Sequence, residues 1–275
     1  MLSKTEVETF HKQGFIGPFC LYSYSEMKQI RVQLEYEATQ FAIPNIMGRT
    51  AKQFAGAQKF NSGHNRHMDC PSILNLSRHP GIINRMRCIL GEDLLLWRTN
   101  FFIKEPGGVE IPWHQDSPYW PLEPHIACSA WIAIDPSTKG NGCVQVIPGS
   151  HFKKIPHITA PTGMNLATMA DPDYYDVKEA IDLEMKPGEI IFFNNYILHH
   201  SFSNHSTIRR MGFAIRVIPT LVKVLHYDDQ NHKLLQVSGK DNLHFNKVAP
   251  SDLIDTILQN KFKSFSQKRE NLLSQ

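Results

Sequence analysis

The chain has 275 residues, 41% hydrophobic and 20% charged, an ordinary globular composition that excludes a disordered or fibrous protein. Lys and Arg total 29 against 26 Asp and Glu, and the resulting +3 is too balanced for a general nucleic-acid or membrane-surface binder. No apolar run is long enough to cross a bilayer, and Lys4 and Glu6 stand where a signal peptide would be apolar. The cysteines, 5 in number with no C-x-x-C spacing, read as reduced, mostly buried thiols rather than a disulfide frame or a thiolate zinc site, so a soluble cytoplasmic protein is expected.

The first ninety residues carry helical signals. Ser3 to Gln13 predicts one helix ended by Gly14. A second, with Ser25 as N-cap, places Met27, Ile30 and Leu34 on one stripe. Pro71 and Pro80 sit where two short helices would start, the second ending near Gly91. From Leu94 the pattern changes to period two. Leu94–Lys104, Cys128–Ile134, Cys143–Ile147, Glu189–Tyr196 and Met211–Ile218 are predicted strands, several of them separated by Pro-Gly or Gly-Asn punctuation. Many short strands divided by turns predict a mainly β sandwich or jelly roll with helices packed outside. A hairpin around Asp228–Asn231 and a helix after Ser251 are expected to close the chain. With no repeat or composition break, one domain spans 1–275, with a mostly helical part at 1–93, a β core at 94–219, and the hairpin and helix at 220–275.

The segment rich in chemistry is Trp113-His114-Gln115-Asp116. Residues two apart on a strand share a face, so His114 and Asp116 can address one point. They are two-thirds of the facial triad of two histidines and one carboxylate that holds non-haem Fe(II). Such an H-x-D recurs by chance in proteins of this size, and support comes from Leu198-His199-His200-Ser201, which follows an apolar strand. His199 and His200 point opposite ways if extended, so one of them supplies the third ligand. Further on, Met211, Phe213, Ile215 and Val217 form one face of a strand and Arg210, Gly212, Ala214 and Arg216 the other. Small residues between two arginines suit a cavity wall, where Arg grips a carboxylate through a two-pronged charge-assisted pair.

His114-Gln115-Asp116-Ser117-Pro118-Tyr119-Trp120, Ala130-Trp131, Asn141-Gly142-Cys143, Pro148-Gly149-Ser150-His151, Pro187-Gly188-Glu189, Phe192-Phe193 and Leu198-His199-His200-Ser201 together resemble the phytanoyl-CoA dioxygenase family, from about Leu94 to Val217. The resemblance implies a double-stranded β-helix core, cupin-like, that binds Fe(II) and uses 2-oxoglutarate and O2. His114, Asp116 and His199 match the family's iron ligands, and Arg210 matches the arginine for the distal carboxylate of 2-oxoglutarate. Asn100 and Trp131 fall where members line the co-substrate pocket. Gln115 has the parity to point away from iron, and Lys104 fits the pattern as a strand-end residue. The carboxylate at Asp116 implies hydroxylation, since relatives that halogenate carry a small residue there.

For the substrate, residues 44–69 hold Arg49, Lys52, Lys59 and Arg66 against Asp69 alone, with His64 and His67 as further donors. Arg98 shares parity with Asn100, and Tyr119 follows the ligand motif. These residues suit an anionic substrate. A second connection, His157 to Asp176, carries Asp171, Asp173 and Asp176 beside Tyr174 and Tyr175, which suits an ammonium group. A small zwitterion satisfies both, and the family branch acting on 2-aminoethylphosphonate is the expected assignment, with hydroxylation at the carbon next to phosphorus. An acyl-CoA or secondary-metabolite hydroxylase is the alternative. Two readings of another class stay open: a zinc hydrolase using the same three ligands, against which Arg210 argues, and a non-catalytic jelly-roll binding protein.

Overall fold

A computed structural model describes residues 1–40, 64–68, 70–225 and 234–250. Helix α1 (Lys4–Gln13) opens with a reciprocal cap in which Ser3 Oγ accepts from Glu6 N and Glu6 Oε2 accepts from Ser3 N, and it ends at Gly14 in the left-handed conformation, φ 83°. Helix α2 (Tyr24–Gln40) begins earlier than its sequence suggests. Ser23, not Ser25, makes the cap: its hydroxyl accepts from Glu26 N, and Glu26 Oε2 accepts from Ser23 N at 2.7 Å. Helices α3 (Pro71–Ser77) and α4 (Pro80–Leu90) each start on proline, whose missing N–H costs nothing in a first turn.

The N-terminal part is not wholly helical. Strand β1 (Phe15–Cys20) follows α1 and lies at the edge of the main sheet, where Gly17 and Pro18 are tolerated across a register shift. The remaining strands are β2 (Leu94–Lys104), β3 (Ile111–His114), β4 (Leu122–Glu123), β5 (Cys128–Ala133), β6 (Val144–Val146), β7 (His157–Thr159), β8 (Thr168–Ala170), β9 (Ile181–Leu183), β10 (Glu189–Asn194), β11 (His199–Ser201), β12 (Arg210–Pro219), β13 (Lys223–Val224), β14 (Leu234–Ser238) and β15 (Val248–Ala249). A seven-stranded sheet, β1-β10-β5-β12-β2-β14-β15, faces a four-stranded sheet, β3-β11-β6-β9, as the two layers of a jelly roll. Strand β13 pairs with β4 and β14 with β2, so they are not the two arms of the expected hairpin. Residues 226–233 at its tip, and the helix expected after Ser251, lie outside the described residues.

The alternation of β12 sets both faces of the large sheet. Met211, Phe213, Ile215 and Val217 join Phe101, Met27, Leu34, Ile73, Leu74, Ile82 and Met86 in one apolar cluster under the helices. Burying each large side chain there stabilises the fold by about 1.5–3 kcal/mol. The opposite face packs Trp131, Ala133, Ala214, Ile191 and Phe193 against Val144, Val146 and Leu183 of the small sheet. The register across β2 and β12 runs from Lys104 opposite Arg210 to Arg98 opposite Arg216, and the next pair is Leu96 with Val217. Trp97 is therefore an extra residue, a bulge beside the interior.

The start of β12 is held from outside. Arg209 Nε lies 2.8 Å from Asp135 Oδ2 and its NH2 2.7 Å from Glu35 Oε1 of α2, while Arg31 NH1 of α2 lies 2.8 Å from Asp135 Oδ1. With Arg209 clasped toward α2, strand alternation turns Arg210 inward. Among the described residues no helix is long and apolar enough to cross a membrane.

Candidate active site

Strands β3 and β11 are neighbours in the small sheet, and His114 is directly opposite His199 in their register. Their rings approach to 4.0 Å between centroids. Asp116 joins them by a route that strand parity does not describe. Strand β3 ends at His114, and Asp116 has φ −68° and ψ −35°, capping the short helical turn Ser117–Tyr119. The turn, not the pleat, swings its carboxylate back, with Oδ1 3.9 Å from His114 Nε2. One ligand atom from each of His114, Asp116 and His199 lies within 4.8 Å of the others, the one such cluster of three metal-capable side chains among the described residues.

The histidines are held in the tautomer a metal needs. His114 Nδ1 donates to the Pro112 carbonyl at 2.8 Å and His199 Nδ1 to the Ile197 carbonyl at 3.0 Å, which leaves each Nε2 lone pair turned to the cluster. Burial, then the neighbouring His199, holds the His114 imidazole well below its ordinary range, so it stays neutral. Asp116 Oδ2 is buried without a hydrogen-bond donor. Two imidazoles turning Nε2 to one point and a carboxylate oxygen without a donor form a donor set that fits Fe(II). Gln115 points away, as its parity suggests: it donates to the Lys153 and Tyr196 carbonyls and accepts from Ile155 N. His200 also turns away, bonding Gln145 Oε1 and Glu110 Oε1, each at 2.9 Å.

Across the interior lies the inner face of the large sheet. Arg210 is 2% exposed, its guanidinium 5.6 Å from the Trp131 ring centroid, with NH1 donating to the Gly142 carbonyl and Nε without a partner. Burial pushes it down to about 10. Lys104 stands opposite it in the register, donating to the Ser201 hydroxyl at 2.8 Å and to the Ser201 and Phe202 carbonyls. Burial, then the Arg210 charge, pushes Lys104 down to about 7. Lys104 is thus more than a strand-end residue. Among the described residues neither cation has a carboxylate within ion-pair distance, so the pair suits the distal carboxylate of a keto diacid. Gly212 makes room here: a Cβ on it would lie 1.9 Å from Trp131 Cζ2. Asn100 is buried opposite Ala214, midway along the same floor.

At the other end, Arg98 is opposite Arg216, and the Arg216 NH2 lies 3.6 Å from Asp116 Oδ2. The parity of β12 already put Arg216 on the cavity face; its convergence on Asp116 across the two sheets carried no sequence signal. Tyr119 packs 6.0 Å from the His114 ring and ties its hydroxyl to Thr168 of β8. The structure does not bring Arg66 and His67 to this floor. Arg66 donates to Cys70 Sγ in the helix-side core, and His67 bonds the Thr99 hydroxyl, which alternation puts on the helix-facing side of β2. Lys59, like Arg49 and Lys52, lies outside the described residues. Asp171 and Asp176 cap short turns, accepting from Asp173 N and Lys178 N.

A jelly roll carrying this triad on one sheet and buried cations on the other has the residues to hold Fe(II) and the carboxylate of a keto diacid. Residues 10–212 match the family described as phytanoyl-CoA dioxygenase (PhyH), and the chain belongs to that family. It is 30% identical to a probable phytanoyl-CoA dioxygenase of Caenorhabditis elegans over 50% of this chain and 48% of that one, so the match spans about half of the nematode protein. It is 27% identical to a probable alpha-ketoglutarate-dependent hypophosphite dioxygenase of Stutzerimonas stutzeri, over 79% of this chain and 76% of that one. A methylphosphonate hydroxylase of Gimesia maris is 28% identical over 60% and 62% of the two chains. Among solved structures, CytC3 with Fe(II) and alpha-ketoglutarate superimposes with a TM-score of 0.68 at 25% identity, covering 90% of this chain and 94% of that one. The fold is shared with apo ThoJ, a non-heme monooxygenase, at a TM-score of 0.72 and 24% identity over 97% of both chains.

Proposed function

We propose that this protein hydroxylates a small anionic substrate, a phosphonate, at the carbon next to phosphorus, releasing succinate and CO2 from 2-oxoglutarate. 2-Aminoethylphosphonate is the first compound to test. The observation that carries the reading is a metal-capable triad facing a floor with cations at both ends, Lys104 with Arg210 and Arg98 with Arg216. The hypophosphite and methylphosphonate relatives support the choice of anion. We read 1–275 as one dioxygenase domain, because β1 near the N-terminus and β15 near residue 250 belong to the same sheet.

Iron and 2-oxoglutarate, when bound, supply the oxidising chemistry that hydroxylates an unactivated C–H bond. The residues supply the rest. His114, Asp116 and His199 would hold the metal through two imidazole nitrogens and one carboxylate oxygen. Arg210 binds the distal carboxylate of 2-oxoglutarate, with the charge of Lys104, whose donors go to Ser201 and Phe202, beside it, and this orients the keto acid end toward the triad. Trp131 and Asn100 line the path between, and the apolar inner face keeps water out. Tyr119 closes the space over His114 and, with Arg98, faces the substrate. The test is anaerobic reconstitution with Fe(II) and 2-oxoglutarate, then oxygenation with succinate release as readout. Stimulation by a phosphonate, with a hydroxylated product, is the expected result. Stimulation by acyl-CoAs alone replaces the phosphonate with a thioester substrate, and no succinate with any compound refutes the oxygenase reading.

A further inference from the structure

We infer that Arg216, with Ser129 beside it, is the anchor for the anionic group of the prime substrate, and that it selects the carbon next to that group for hydroxylation. The inference rests on the hydroxylase reading above and deepens it. Arg216 is buried, 6% exposed, with its guanidinium 5.0 Å from the Trp120 ring centroid and 5.7 Å from that of Phe102. Among the described residues the carboxylate within ion-pair distance of it is Asp116, at 3.6 Å. A guanidinium built only to brace Asp116 would meet it edge-on at about 2.8 Å. At the longer distance, with Nε unpartnered, Arg216 keeps donors for another acceptor.

Ser129 is directly opposite Arg216 in the β5–β12 register, on the same inner face as Trp131 and Ala133. Its hydroxyl is fully buried and has no hydrogen-bond partner. An unpaired hydroxyl and a guanidinium with unused donors, sealed by two aromatic rings, are costly in the free protein and are satisfied by one tetrahedral oxyanion. Arg98, across the strand pair, adds positive potential from the other side.

The geometry also restricts which carbon reacts. An anion on Arg216 sits within a few ångströms of the Asp116 carboxylate, hence of any metal it holds. A group anchored that close presents its attached carbon, not a distal one, to the metal. Arg210 lies six residues along the strand, about 20 Å away at full strand rise, so the two arginines take different anions.

The test uses Ni(II)-substituted protein with saturating 2-oxoglutarate, titrated calorimetrically with methylphosphonate, 2-aminoethylphosphonate and short monocarboxylates. Metal and 2-oxoglutarate affinities are measured in parallel, and thermal melting checks folding. Arg216→Met should weaken methylphosphonate by about 30-fold, Arg216→Lys by less, and Ser129→Ala by about 5-fold, the scale of a lost charge-assisted and a lost neutral hydrogen bond. Metal and 2-oxoglutarate affinities should stay within about twofold, since Arg216 meets Asp116 only at 3.6 Å and Arg210 serves the distal carboxylate of the co-substrate. Unchanged methylphosphonate binding in Arg216→Met and Ser129→Ala overturns the anchor and leaves the phosphonate reading standing. Parallel loss of metal affinity also overturns it, making Arg216 a brace for Asp116. A wild type that binds a carboxylate but no phosphonate, dependent on Arg216, keeps the anchor and defeats the phosphonate reading. A wild type that binds none of the panel defeats both.

Discussion

Lys104 gives the co-substrate site a pH dependence that can be worked out in advance. In the ligand-free protein, burial and the facing Arg210 put its ammonium near pH 7, so it is about half charged there. A dicarboxylate bound between Lys104 and Arg210 favours the charged form and raises that value. Below about pH 7 Lys104 is already protonated and affinity for 2-oxoglutarate is flat. Above it, each binding event must take up a proton, and affinity falls by up to tenfold per pH unit, about 30-fold by pH 8.5. Two other groups around Lys104 titrate well above this window. Arg210 sits at about 10 and Cys143 at about 12. Burial lowers the His200 that bonds Glu110 below the ordinary histidine value, away from the alkaline side where the slope is read. The assay is anaerobic calorimetric titration of Fe(II)-loaded protein with 2-oxoglutarate from pH 6 to 8.5. Lys104→Met should bind more weakly at every pH and show no slope above 7. A wild-type affinity independent of pH, or the same slope in Lys104→Met, refutes the reasoning.

Arg210→Met should raise the KM for 2-oxoglutarate by about 100-fold, the scale of a lost pair of charge-assisted hydrogen bonds, with a much smaller change for the prime substrate; an unchanged co-substrate KM removes Arg210 from this role. His114→Ala and Asp116→Ala should each abolish metal retention and succinate formation while melting as cooperatively as the wild type, and turnover in either counts against the triad. Gly212→Ala should cost about 1–3 kcal/mol of stability, because the new Cβ lies 1.9 Å from Trp131 Cζ2 and must displace that ring. The displaced ring should also weaken 2-oxoglutarate binding, and a variant as stable and as tight as wild type shows that the close approach is not required.

What could be read from the residues was whatever repeats locally. The period-two split of Arg210 to Val217 gave both faces of β12, and Leu94–Lys104 coincides with β2. Strand β1 escaped notice because Gly17-Pro18 breaks the pattern, although at a sheet edge neither residue is prohibited. The three-residue strand β11 is too short for periodicity to register, whereas β6, equally short, is marked by its apolar run between turns. His114 and Asp116 were visible as a pair, but the reason they converge is a helical turn that the H-x-D spacing disguises as a pleat. Lys104 and Arg216 sat on the right faces by parity, yet their neighbours Ser201 and Asp116 come from distant segments, and such meetings leave no trace in a single sequence.

The surplus residue at Trp97 gives β2 something like a reading frame. Removing one amino acid there would erase the offset between the two halves of the strand, and one half would have to turn over. Either Leu94 and Leu96 would surrender their places beneath the helices, or Arg98, Asn100, Phe102 and Lys104 would rotate out of the interior together. A shortened loop elsewhere changes a border; this deletion would invert a whole wall.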